Sequence, residues 1–241
     1  MLFENNLLAN SWLIGLHIPA ELLPFSLLWT ANELFFLVLI AAATQSPVKK
    51  LLANTPSQHV YFGAMVALLL LWGVKAGISP GLGFHHLGAT IFTLMFGWPL
   101  AIFGLSAILL LSLLLEHAEV TMQLMAFGIN GLLSIVVPVF TSCVILKLSH
   151  RYLPDNFFIY IFVAAFFGAG LAVAASRLVS IAVLGLAGVY SDAKLVQESL
   201  LMMPLFMFPE AFITGMLISI FVVYKPSWVI TFQDERYLIG K

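Results

Sequence analysis

Three histidines interrupt an otherwise apolar chain. His17 lies in Leu16-His17-Ile18-Pro19, and His85 and His86 close the run Ser79-Pro80-Gly81-Leu82-Gly83-Phe84-His85-His86. Gly and Pro make the backbone of both segments irregular, and irregular backbone at membrane depth is tolerated where it lines a cavity. Imidazole is the commonest protein metal ligand near neutral pH and suits nickel, cobalt, copper and zinc. The chemistry on offer is capture of a divalent transition metal. The competing reading is that these histidines sit in the headgroup region, and spacing alone does not separate the two.

Four more polar groups fall inside apolar stretches: Glu33, Asn130, Arg177 and Glu210. Ionisable groups at membrane depth raise functional suspicion by default. For Glu33 and Arg177 the plainer reading is an ion pair or an interfacial position; for Asn130 it is an interhelical hydrogen bond. His59 and His150 abut basic residues and are expected to face water, and His117 stands between Glu116 and Glu119 as a solvated loop residue. No helical His-Glu-x-x-His and no Walker motif occurs, and no nucleophile and base pair stands out. No residue is therefore assigned a catalytic role.

These residues must be positioned by membrane helices. The chain has 241 residues, of which 62% are hydrophobic and 9% charged, whereas an ordinary soluble domain carries roughly 25% charged residues. A helical span needs about 20 mostly apolar residues. Runs such as Ala64 to Trp72 and Leu105 to Leu115 are apolar all round, unlike the alternating strands of a barrel. Seven segments are predicted: about 24–43, 58–77, a short 87–96 broken at Gly97-Trp98-Pro99, 100–115, 124–146, a long 156–189 that is one tilted helix or a helix plus a re-entrant piece, and 201–223. The chain reads as one all-α integral membrane domain, 1–241, with residues 1–23 as an extracytoplasmic N-terminal segment. Residues 1–20 have no basic region, and Glu4 is acidic, so the first span is expected to persist in the mature protein. Net charge of -1 favours no nucleic acid. Cys143 is the single cysteine, which excludes an intramolecular disulfide and a thiolate cluster. Lys49, Lys50, Lys147, Arg151, Lys225, Arg236 and Lys241 fall on one side if the N-terminus is outside. Lys75, Lys194 and Arg177 fall on the other, with Glu4, Glu21, Glu116, Glu119, Asp192 and Glu198. The positive-inside rule then predicts N-out, C-in. This puts His17, His85 and His86 on one outer face.

Four ordered segments resemble the CbiM/NikM family, the substrate-capture membrane components of energy-coupling-factor transporters for cobalt and nickel. His17-Ile18-Pro19-Ala20-Glu21 is similar to that family's His-Ile-Pro-Asp-Gly. His85-His86-Leu87-Gly88, followed by Phe96-Gly97-Trp98-Pro99, is similar to its His-Leu-x-Gly stretch ending in Leu-Gly-Pro. Phe127-Gly128-Ile129-Asn130 resembles Leu-Gly-Ala-Asn, and Phe208-Pro209-Glu210-Ala211 with Thr214-Gly215 resembles Pro-x-Ala-x-x-Glu-Gly. The resemblance runs from about residue 16 to 224. It implies an energy-coupling-factor substrate-component fold in a bacterial-type inner membrane, with a coupling transmembrane subunit and cytoplasmic ATPases as partners. It also implies a nearly planar metal site in which the terminal amine, a backbone nitrogen and the histidine after the initiator Met act with the second-loop histidine, matched here by His85. Cobalt or nickel is the implied cargo.

Three departures from the pattern matter. His17 follows an extension of about fifteen residues, the acidic residue moves from Ala20 to Glu21, and Thr214 replaces a glutamate. Two outcomes remain open. His86 replaces the amine, giving a His17, His85, His86 site with Glu21 nearby that also admits Cu(II) or Zn(II). Alternatively, the chain keeps the fold without the strict site and serves as a non-transporting membrane subunit or scaffold.

Overall fold

The computed structural model describes residues 17–76, 79–115, 120–233 and 237. The expectations for Glu4, Glu116, His117, Glu119, Arg236 and Lys241 fall outside them. Among the described residues, five helices are long and apolar enough to cross a membrane: α1 (Phe25–Gln45), α3 (Ala89–Leu115), α4 (Phe127–Tyr152), α5 (Phe157–Leu186) and α6 (Asp192–Tyr224). Between the first two lies α2 (Thr55–Trp72), which opens on the polar run Thr55-Pro56-Ser57-Gln58-His59 and becomes apolar from Val60 onward. The Asn54 side chain caps α2 by accepting from Ser57 N–H at 3.2 Å, with Pro56 in the first turn, where a missing N–H costs nothing. Asn156 caps α5 in the same way through Phe158 N–H at 2.8 Å. Exposed apolar side chains run along every helix, among them Leu34, Phe36, Leu70, Phe162 and Phe208. That distribution suits a lipid solvent and would be untenable in water.

Several segment boundaries differ from the sequence expectation, the last span starting at Asp192, whereas the expected break at Gly97-Trp98-Pro99 is present. The second segment stops at Trp72, and residues 75–76 pair instead as β1 (Lys75–Ala76) with β2 (Phe84–His85), antiparallel, Lys75 opposite His85. The long stretch is a single helix, α5, ending at Leu186 and containing a π-helical stretch at Tyr160–Phe167. The third and fourth segments are two arms of α3, divided where Gly97 takes φ 77°, ψ 160°, a conformation essentially closed to residues with a Cβ.

The arms of α3 fold back on each other. A Cβ on Gly104 would stand 2.7 Å from Phe92 Cε1, although residues twelve apart in a straight helix are about 18 Å apart. Tyr61 of α2 holds the hairpin: its hydroxyl donates to Leu100 O at 2.8 Å and its ring meets Phe92 and Phe96 at 5.8 and 5.0 Å. The carbonyls exposed where the short arm stops are met by the chain beyond α6. Ile230 N–H donates to Met95 O at 3.1 Å, and the Thr231 hydroxyl donates to Leu94 O at 2.8 Å. The same segment meets α5 through Tyr160 and Thr231 and meets α4 through the His150–Tyr237 hydrogen bond. One end of the bundle thus collects the α1–α2 turn, the α3 turn, the end of α4 and the chain after α6, with Lys50 and Trp228 lining one cavity there. His17, His85 and residues 79–83 lie at the opposite end of the short arm.

Candidate metal-capture site

Asn130 fixes the approach of the N-terminal segment. Ile18 N–H donates to Asn130 Oδ1 at 2.8 Å, while Asn130 Nδ2 donates to Ile18 O at 3.0 Å and to Ala126 O at 2.9 Å. Both backbone groups of Ile18 are thereby satisfied inside the bundle, which places the preceding residue, His17, in a buried position. The glycine two residues before Asn130 brings α4 up against α1. Gly128 packs so tightly on α1 that a Cβ there would lie 2.4 Å from Asn32 Cα. Asn32 Oδ1 accepts from Gly128 N–H at 2.9 Å and its Nδ2 donates to Met125 O at 2.8 Å.

The second segment arrives over Trp72. The indole is fully buried at the end of α2 and donates from Nε1 to Leu87 O at 3.3 Å. His85 lies 4.7 Å from its ring centroid and His17 lies 5.7 Å from it. The two imidazoles face each other edge-on with centroids 5.7 Å apart. Residues separated by most of two helices and a loop in sequence are thus neighbours.

His86 turns to a different partner. Its Nδ1 is 2.9 Å from Glu210 Oε2, and the same carboxylate accepts Leu87 N–H at 3.0 Å and Gly88 N–H at 2.7 Å. Buried Glu210 therefore ties the loop 86–88 to α6. Its hydrogen bond, together with its charge and against the opposing effect of burial, pushes the His86 imidazole above its ordinary value.

The remaining sequence candidates scatter. Glu21 is exposed within the single 3-10 turn Ala20–Leu22, and Glu33 is exposed on α1. Arg177 is half-buried and donates from Nη2 to Gly83 O at 2.6 Å. His59 is exposed. Among the described residues, no group of three or more His, Cys, Asp and Glu side chains is placed to hold a metal ion. Trp72 and Asn32 were not foreseen from sequence. The only sign of Trp72 was a ring with a polar N–H closing an apolar run, and Asn32 was hidden beside the more conspicuous Glu33.

Fold and site together define a multi-pass helical membrane protein with a buried His17 and a half-buried His85 side by side at one end of the bundle. The family model described as the cobalt uptake substrate-specific transmembrane region, CbiM, matches residues 17–228, and the chain belongs to that family. It is thereby a substrate-specific membrane component of cobalt uptake. No curated protein and no solved structure matches the chain.

Proposed function

We propose that this chain captures cobalt between His17 and His85 on the outer side of a bacterial-type inner membrane. It would pass the ion inward as part of an energy-coupling-factor transporter whose coupling subunit and ATPases are separate proteins. The observation that carries this reading is the 5.7 Å spacing of the two imidazole centroids. With metal–nitrogen bonds of about 2.0 to 2.1 Å, two imidazoles on one ion have centroids roughly 4.5 Å apart when cis and about 6.4 Å apart when trans. The pair is thus spaced within the range of a shared ion. Two imidazoles leave coordination positions for backbone and solvent, so nickel is a second expected cargo, with copper and zinc admitted. Seven crossings with N-out and C-in follow if the two arms of α3 count separately and the lysine-rich end faces the cytoplasm.

A specific observation favours a second reading. His86 is held by Glu210, so the third imidazole is drawn away from the pair, as expected of a scaffold that keeps the fold without the strict site. Metal analysis of the purified full-length chain after equilibration with Co(II), Ni(II), Cu(II) or Zn(II) separates the two. The capture reading expects about one ion per chain, at least tenfold weaker retention in His17→Ala and in His85→Ala, and a smaller loss in His86→Ala. Wild-type protein that retains none of the four ions would sink it.

A further inference from the structure

A fixed cation stands beside the histidine pair. Arg177 lies on α5 nine residues before its end at Leu186, about 13 Å along the helix axis. A guanidinium stays protonated and carries five N–H donors. Among the described residues, Arg177 makes one protein hydrogen bond, to Gly83 O, and stacks over the Phe84 ring at 4.0 Å. No described carboxylate is within ion-pair distance of it; Glu210 pairs with His86 and Glu198 with Lys194. A charge at membrane depth is costly without a counter-charge.

Arg177 also lines a cavity of about 30 Å³, shared with His85, Ile18, Asn130, Ser176 and Ser180. A water-sized site needs roughly 10 to 15 Å³ on this measure, so the space suits a monatomic ion or a pair of waters. Most of the other polar walls are already committed, the Ser134 hydroxyl excepted. The Asn130 amide is spent on Ile18 and Ala126, Ser176 Oγ donates to Leu133 O at 2.7 Å, and Ser180 Oγ donates to Ser176 O at 2.9 Å. Arg177 is left as the source of fixed positive charge, and its spare N–H groups join the Ser134 hydroxyl as donors. Water would satisfy N–H groups but leave the charge uncompensated in a medium that screens poorly.

We propose that this cavity binds a small monovalent anion of the size of chloride, held by Arg177. The anion neutralises the guanidinium and, on the reading that His17 and His85 capture a cation, removes the repulsion between that cation and Arg177. The anion site itself does not depend on metal capture.

Equilibrium dialysis of the metal-free, full-length chain in lipid nanodiscs against radioactive chloride tests it. The wild type should bind one chloride per chain saturably. Arg177→Gln should bind at least tenfold more weakly. Val173→Phe, which fills the cavity while leaving the arginine in place, should also lose binding; circular dichroism and gel filtration establish that each variant is folded. No saturable chloride on folded wild type, or unchanged affinity in both folded variants, overturns the proposal. A second measurement compares cobalt retention in chloride and in gluconate. Retention should be at least fivefold tighter in chloride for the wild type and insensitive to the anion in Arg177→Gln. Cobalt retention indifferent to chloride in the wild type overturns the anion's part in capture. Chloride binding by a chain that retains no cobalt upholds the anion site and overturns the capture reading instead.

Discussion

Glu210 accepts three hydrogen bonds from one short loop, at His86, Leu87 and Gly88. Two come from backbone N–H groups that would otherwise be buried without partners, a loss worth about 1 to 3 kcal/mol each. The third is pH-dependent. Because the His86 imidazole titrates above its ordinary 6.5 in the folded chain, its contribution is fully present below pH 6.5 and fades as pH rises through the raised folded value. Thermal midpoints measured across that window should therefore fall with rising pH in the wild type. Glu210→Gln, which cannot pair with an imidazolium, should flatten the slope while lowering stability throughout; an unchanged slope would refute this account of the tether.

At the scale of elements, the contact between α1 and α4 depends on the absence of one methyl group. Gly128→Ala places a Cβ against Asn32 backbone atoms 2.4 and 2.5 Å away, and neither helix backbone can yield without moving the other. Overpacking of this kind costs about 1 to 3 kcal/mol. It would also stretch the Asn32 hydrogen bonds and, through Asn130, loosen Ile18. Gly63 on α2 is the control: a Cβ there meets nothing within 4 Å, and alanine is the better helix former. Thermal unfolding in detergent should show Gly128→Ala lowered and Gly63→Ala equal to or above the wild type. The resemblance to a family glycine at 128 was legible in the sequence. Its physical reason was not, because nothing local in Phe127-Gly128-Ile129-Asn130 says which helix lies across from it.

For the whole molecule, the two ends of the bundle are chemically distinct. Lys50 lies where the α3 turn and the chain after α6 meet, and Lys147, Arg151 and Lys225 belong to the same end by position on α4 and α6. The histidine pair lies at the other end. On the proposed N-out, C-in orientation, which follows the positive-inside rule, the lysine-rich end is the cytoplasmic one. Fusing a green fluorescent protein to the C-terminus should give fluorescent cells, and alkaline phosphatase fused there should be inactive. Phosphatase inserted in the turn after Leu186 should be active. The reverse pattern would invert the proposed direction of capture.

The solvent, the helical class, the break at Gly97-Trp98-Pro99 and some of the polar residues that matter, His17, His85, Asn130 and Glu210 but not Asn32, can be read from the sequence. All of these follow from local properties: apolar run length, glycine and proline geometry, and the cost of a charge in lipid. Only the tertiary structure decided that the break folds α3 into a hairpin, that His17 meets His85 over Trp72, and that His86 belongs to Glu210. Those outcomes depend on which surfaces pack together across long sequence separations, as with Asn130 and Ile18, 112 positions apart. The three histidines that read as one cluster are, in the fold, a pair and a tether.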